Sequence, residues 1–268
     1  MKSKLIPRLL TALAAIPALV WITAFGGPRL FSWLVFSAAA ICLWEYYRIA
    51  IPSRRAEQAA GILAGLLVAS GVLFQDAAGA APWLAGAAVL LFSTHLFFGG
   101  ALQERFNRLG WTLVGTLYLG FLLPHAALVY RLPDGPEWIF FTLIVVMVGD
   151  SAAYFAGNAI GRRKLYPEVS PGKTVEGAIG GAVGSLAAGA AAGAYFLPMF
   201  PWPELVAVAL VLSVLGQIGD LFESWIKRVF GVKDSSAILP GHGGLLDRMD
   251  SLIFPLVFVA YYSRLFPR

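Results

Sequence analysis

Residues 138–160 read WIFFTLIVVMVGDSAAYFAGNAI, an apolar run whose only formal charge is Asp150. A helix rises 1.5 Å per residue, so a run of this length covers a hydrocarbon core of about 30 Å. On both sides lie further runs of similar character, at 5–26, 29–50, 58–75, 82–99, 109–131, 174–198, 203–222 and 251–266. Overall 59% of residues are hydrophobic and 13% charged, about half the charged fraction usual for a soluble domain. These features predict an all-α, polytopic transmembrane helical bundle of about nine spans, forming one integral membrane domain over 1–268. The first run follows Lys2, Lys4 and Arg8 but has no small-residue cleavage pattern, so it reads as a helix and not as a removable signal. The single cysteine, Cys42, excludes an intrachain disulfide and any cysteine-based metal site.

Lysine and arginine accumulate on cytoplasmic loops. With nine spans and the N-terminus inside, only Arg29, Arg131, Arg264 and Arg268 fall on the outer side. The expected orientation is therefore N-terminus cytoplasmic and C-terminus outside. The net charge of +5 then describes a basic cytoplasmic face suited to anionic headgroups or phosphorylated substrates. No aromatic-basic module is available to grip a nucleic acid strand.

Two cytoplasmic segments stand out by length, about 161–173 and about 223–246, and a reaction would take place where they meet. The seventh run carries Gly177, Gly180, Gly181, Gly184, Gly189 and Gly193. Their small-xxx-small spacing permits close helix approach, and the alternative is a groove for an acyl chain.

Ionisable residues concentrate in 216–251, GQIGDLFESWIKRVFGVKDSSAILPGHGGLLDRMDS. At a membrane edge such groups are costly unless paired, metal-bound or wetted. If the eighth run continues as helix, Asp220, Glu223, Ser224 and Lys227 line one face. Pro240-Gly241-His242-Gly243-Gly244 reads as irregular backbone whose N–H groups could seat phosphate oxygens, with a helix N-terminus directly after it. Asp247 and Asp250 share a face there. Acids at a helix start can simply offset its macrodipole, but with Asp220 added, cation binding explains the set better, and hard oxygen donors favour Mg2+. Asp150 fits either a wet site or a structural pair with Lys or Arg. His95 and His125, alone in apolar runs, read as packing residues.

The string Ser224-Trp225-Ile226-Lys227-Arg228, then Lys233-Asp234-Ser235-Ser236, then Pro240 through Asp250, resembles the signature of bacterial CDP-diacylglycerol synthases, also called phosphatidate cytidylyltransferases. Ser170-Pro171-Gly172-Lys173-Thr174-Val175-Glu176-Gly177, Gly149 through Tyr154, and Trp44-Glu45-Tyr46-Tyr47 are also similar. Ser236 stands where the family often has glycine, a change that would matter if the backbone there needed a positive φ.

The resemblance implies cytidylyl transfer from CTP to phosphatidate, giving CDP-diacylglycerol and pyrophosphate, at a site facing the cytoplasm of the plasma (inner) membrane. It implies Mg2+ at Asp220 and Asp247, with Asp250 and Glu223 as nearby ligands or supports, and a second cation such as K+ as a further expectation. Asp220, Asp247, Lys227 and Asp250 form the expected catalytic group. Phosphate and substrate contacts are expected from Ser170, Lys173, Ser224, Arg228, Lys233, His242, Gly243, Gly244 and Arg248. Lys227-Arg228 also fits a membrane-edge anchor, Arg248 could hold Asp250 or Glu223, and His242 could support the loop or move a proton. The expected partners are CTP, phosphatidate and membrane lipid, with no nucleic acid, and a homodimer.

Two alternatives stand beside this reading, one within enzymes and one of a different class. A CTP-dependent polyprenol or phytol kinase could use the same nucleotide site, but its alcohol nucleophile would need a general base. A cation transporter would be expected to carry ionisable residues deep in several spans, whereas here they gather at predicted cytoplasmic helix ends.

Overall fold

The computed structural model describes residues 5–75, 79–238, 241 and 243–265. Each of the nine predicted runs overlaps a helical segment. These segments are α1 (Leu5–Phe25), α2 (Gly27–Ala50), α3 (Arg55–Phe74), α4 (Ala80–Phe97), α5 (Leu102–Gly115) continued by α6 (His125–Tyr130), α7 (Gly135–Ile160), α8 (Val175–Phe196), α9 (Trp202–Val229) and α10 (Leu246–Leu265). Among the described residues seven segments are long and apolar enough to cross a membrane: α2, α3, α4, the continuous stretch Leu102–Tyr130, α7, α8 and α9. The protein is an all-α, multi-pass membrane protein.

Two boundaries differ from the sequence expectation. Helix α9 runs on to Val229 and α10 begins at Leu246, so the segment expected over about 223–246 opens on helix. The segment 161–173 carries a small antiparallel hairpin, β1 (Lys164–Tyr166) and β2 (Ser170–Thr174), with Lys164 opposite Thr174 and Tyr166 opposite Ser170. Its base is closed by Glu176, whose carboxylate accepts the N–H of Arg162 at 2.9 Å and of Arg163 at 3.1 Å. Thr174 then caps α8, its Oγ1 accepting the N–H of Gly177 at 3.0 Å.

The chain forms two compact units, Met1–Leu128 with Asp234–Asp247, and Val129–Lys233 with Arg248–Arg268. In the first, α2 is locked to α5 by two adjacent tyrosines. The Tyr46 hydroxyl donates to Trp111 O at 2.9 Å, and the Tyr47 hydroxyl donates to Thr112 O at 2.8 Å, with Thr116 Oγ1 at 3.1 Å. Ala64, Val68, Ala87 and Leu91 form an apolar core between α3 and α4. A π-helical stretch, Thr116–Leu122, precedes Pro124. Proline has no N–H to donate back along the helix, and the wider turn accommodates its ring. His95 and His125 lie 2.9 and 2.8 Å from the carbonyls of Leu91 and Phe121, local partners consistent with packing residues.

In the second unit the small residues of α8 are consumed by tight helix packing. A Cβ on Gly180 or Gly184 would come within 2.4 Å of the Ala156 or Ala152 methyl on α7. Farther along, a Cβ on Gly189 would lie 2.3 Å from that of Ala209 on α9. At these positions α8 makes the close approach that small-xxx-small spacing permits.

Candidate active site

In the second unit, extension of α9 to Val229 brings Asp220, Glu223, Ser224 and Lys227 onto successive turns. The Ser224 hydroxyl donates to Asp220 Oδ1 at 3.3 Å, and Lys227 Nζ lies 2.6 Å from Glu223 Oε2. Glu223 is 1% exposed, so its ammonium partner is needed to hold a charge at that depth.

The hairpin contributes the second half of this cluster. Lys173 on β2 places Nζ 2.8 Å from Asp220 Oδ2, with the two side chains 26% and 32% exposed. Sequence separation between them is large, and the tight α7–α8 packing that anchors the end of the hairpin makes the contact possible.

Helix α10 adds Asp250 and Ser251. Gly219 on α9 admits this approach, because a Cβ there would stand 2.3 Å from the carbonyl oxygen of Asp250. Asp150 on α7 accepts a hydrogen bond from the Ser251 side chain and lies within electrostatic range of Asp220 and Lys173. Asp250, just ahead of the apolar run 251–266, has its carboxyl pushed up to about 7, first by burial and then by the Asp220 carboxylate. Three carboxylates thus share a region served by Lys173 and Lys227, an arrangement short of positive charge.

In the first unit, Asp247 is held by its own loop. Its carboxylate accepts the N–H of Ser235 at 3.1 Å and of Gly244 at 2.8 Å. Glu45, on α2, accepts the N–H groups of Leu245 and Leu246 at 3.0 and 2.7 Å, together with the hydroxyls of Ser235 and Ser236. The amides of residues 244–246 are therefore already taken by carboxylates. Gly244 serves the loop sterically, since a Cβ would stand 1.9 Å from Ser235 Oγ. Ser236, where glycine had been the family expectation, does not have a positive φ, so the serine is unstrained.

The remaining expected residues divide clearly. Arg228 is committed to carbonyls, its Nε donating to Val169 O at 3.2 Å and one terminal nitrogen to Val232 O at 3.0 Å, so it braces the hairpin against the end of α9. Lys233 and Arg248 are exposed, Ser170 and Gly243 are half-buried. Pro240 and His242 lie outside the described residues, and so does that part of the expected phosphate seat. Glu45 entered the sequence reading only within the Trp44–Tyr47 resemblance, with no role assigned to it. The available signal was a lone carboxylate inside the apolar run 29–50, where a charge needs a reason.

Among the described residues no three His, Cys, Asp or Glu side chains converge tightly enough to enclose a metal ion. Mg2+ keeps several waters and takes one or two carboxylates plus substrate phosphates. Of the expected ligands, Asp220 and Asp250 lie within electrostatic range of each other, and both are oxygen donors of the type that ion takes.

The profile of the cytidylyltransferase family matches residues 6–266. The chain is 37% identical over 275 residues to the phosphatidate cytidylyltransferase of Brucella suis biovar 1, covering 98% of this chain and 95% of that one. It is 40% identical over 162 residues to the Bacillus subtilis protein of the same name, 60% of each chain. Against the Staphylococcus aureus (strain COL) protein of that name, identity is 49% over 125 residues, 46% of this chain and 47% of the other.

Proposed function

This chain belongs to the cytidylyltransferase family, and from that premise we propose that it acts as a phosphatidate cytidylyltransferase. It transfers the cytidylyl group of CTP to phosphatidate, releasing pyrophosphate and forming CDP-diacylglycerol for phospholipid synthesis. The observation that carries the site assignment is the Lys173–Asp220 contact at 2.8 Å, which joins residues from two separate expected motifs.

The chemistry makes modest demands on proton transfer. A phosphate monoester has a second pKa of about 6, so the attacking oxygen of phosphatidate is already ionised near neutral pH. The demand is electrostatic, because a dianion must approach the α-phosphorus of an anionic triphosphate. Lys173 and Lys227 are positioned to offset that repulsion and to receive the charge that develops on departing pyrophosphate. Ser224 fixes the Asp220 carboxylate, Glu223 holds Lys227, and the low exposure of Glu223 and Lys227 keeps water from weakening the pair.

When bound, Mg2+ would supply Lewis-acid stabilisation of phosphate oxygens. We assign ligand roles to Asp220 and Asp250 in the second unit and to Asp247 in the first, with a second cation such as K+ in the same reading. Ser170, Lys233, Gly243 and Arg248 are assigned to substrate phosphates. Arg228 and Glu223 are given supporting roles, Gly244 is given a steric one, and His242 keeps its expected place in the glycine-rich loop.

The same reading includes nine spans, one integral membrane domain, a cytoplasmic N-terminus and an active site at the cytoplasmic edge of the plasma membrane, where cytosolic CTP meets a bilayer lipid. It also includes a homodimer, though the α8 glycines are already used within the chain. The deciding experiment is synthesis of CDP-diacylglycerol from CTP and phosphatidate by purified protein in detergent, with and without Mg2+, beside Asp220→Asn and Asp247→Asn. Metal-dependent product, lost in both variants, is expected. Folded wild-type protein that makes no product would refute the activity, and full activity in either variant would refute that ligand.

A further inference from the structure

Glu45 is 0% exposed and is the one carboxylate of α2. Its two oxygens each take one N–H and one hydroxyl: Leu245 N–H and the Ser236 hydroxyl on Oε1, Leu246 N–H and the Ser235 hydroxyl on Oε2. Four donors saturate the acceptor capacity of an ionised carboxylate. All four come from the stretch 234–247, between 190 and 201 residues farther along the chain.

The carboxylate is itself held firmly, because the next two residues, Tyr46 and Tyr47, tie α2 to α5 through buried hydroxyls. Ser235 joins Glu45 to Asp247, giving its hydroxyl to the former and its N–H to the latter. Gly244 lies in the same knot, where a Cβ would come within 2.7 Å of Glu45 Oε1. One buried acid on α2 therefore sets the backbone from which Asp247 projects.

We propose that Glu45 is a positioning residue of the reaction, acting through the loop 234–247 to hold Asp247 in a single orientation. The inference rests on the reading of Asp247 as a cation ligand. Ser236 belongs to the same device: its hydroxyl bonds Glu45 and also accepts the N–H of Ile238 at 3.1 Å.

The test compares Glu45→Gln, Ser236→Gly and Asp247→Asn with the wild type, in detergent. The amide of glutamine keeps the volume but turns one acceptor into a donor that faces two donors. Hydrogen exchange on peptides covering 234–247, measured without added metal, is expected to speed up roughly tenfold or more in Glu45→Gln, the consequence of losing hydrogen bonds to a charged group. Turnover should fall about tenfold or more, and the Mg2+ concentration for half-maximal rate should rise, while the KM for CTP stays within about twofold. Ser236→Gly should shift exchange and turnover the same way by a smaller factor.

Unchanged loop exchange and turnover in folded Glu45→Gln would overturn the positioning role. If that variant does not fold, unchanged exchange and turnover in Ser236→Gly would overturn it. An unaltered Mg2+ dependence in Asp247→Asn would refute instead the reading of Asp247 as a ligand.

Discussion

Lys173 Nζ stands 2.8 Å from Asp220 Oδ2, so the lysine of the hairpin and the acid of α9 meet although no local pattern links them. Both are about one-quarter to one-third exposed. A pair this wet contributes little to stability, about 0–1 kcal/mol, and the role proposed for it is to present a positive charge beside the carboxylate cluster.

Lys173→Ala should therefore leave folding nearly intact while slowing the reaction. We expect the unfolding temperature in detergent to move by only a few degrees and kcat/KM to fall roughly 100-fold, the scale seen when one group aimed at developing charge is removed. A loss of stability matching the loss of rate would refute this assignment.

Gly219→Ala should injure both fold and activity. Its Cβ would lie 2.3 Å from the Asp250 carbonyl oxygen, and overpacking of this kind costs about 1–3 kcal/mol. Thermal unfolding should show the loss, and activity at a temperature where the variant is fully folded should also drop because Asp250 is displaced from Asp220. Wild-type stability would mean that α10 can shift freely.

Arg228→Lys separates a phosphate contact from a structural brace. A lysine cannot reproduce the forked contacts to Val169 O and Val232 O. Faster proteolysis of the hairpin segment is expected, with a KM for CTP within about twofold of wild type. A KM raised about tenfold with unchanged proteolysis would return Arg228 to the substrate.

Arg108→Ala should destabilise the first unit strongly. Arg108 Nε donates to Glu57 Oε2 at 2.7 Å, and the Glu57 side chain is only 3% exposed. Removing one partner of a buried pair costs about 3–5 kcal/mol. Arg108→Ala with Glu57→Gln should recover part of that loss, as thermal unfolding of the single and double variants would report.

Local pattern was enough for much of the molecule. Apolar run length located the long helices among the described residues, because a backbone in hydrocarbon must satisfy its own hydrogen bonds. The 3.6-residue repeat put Asp220, Glu223, Ser224 and Lys227 together on α9. Small-residue spacing announced the packing of α8, now seen against Ala152 and Ala156. The hairpin was missed because its strands are three and five residues long, with Pro167 between them and Pro171 inside the second, too short for any alternation to register.

What the sequence by itself determined was therefore the helical membrane architecture, the family signature and the residue types from which a phosphate-handling site could be made. Only the tertiary structure decided which of them pair: Lys173 with Asp220, Arg228 with backbone carbonyls, and Glu45 with the amides and hydroxyls of 235–246. The physical reason is range. Helix periodicity relates residues three or four apart, whereas a buried carboxylate finds donors wherever packing brings them, and no spacing rule spans the 201 residues between Glu45 and Leu246.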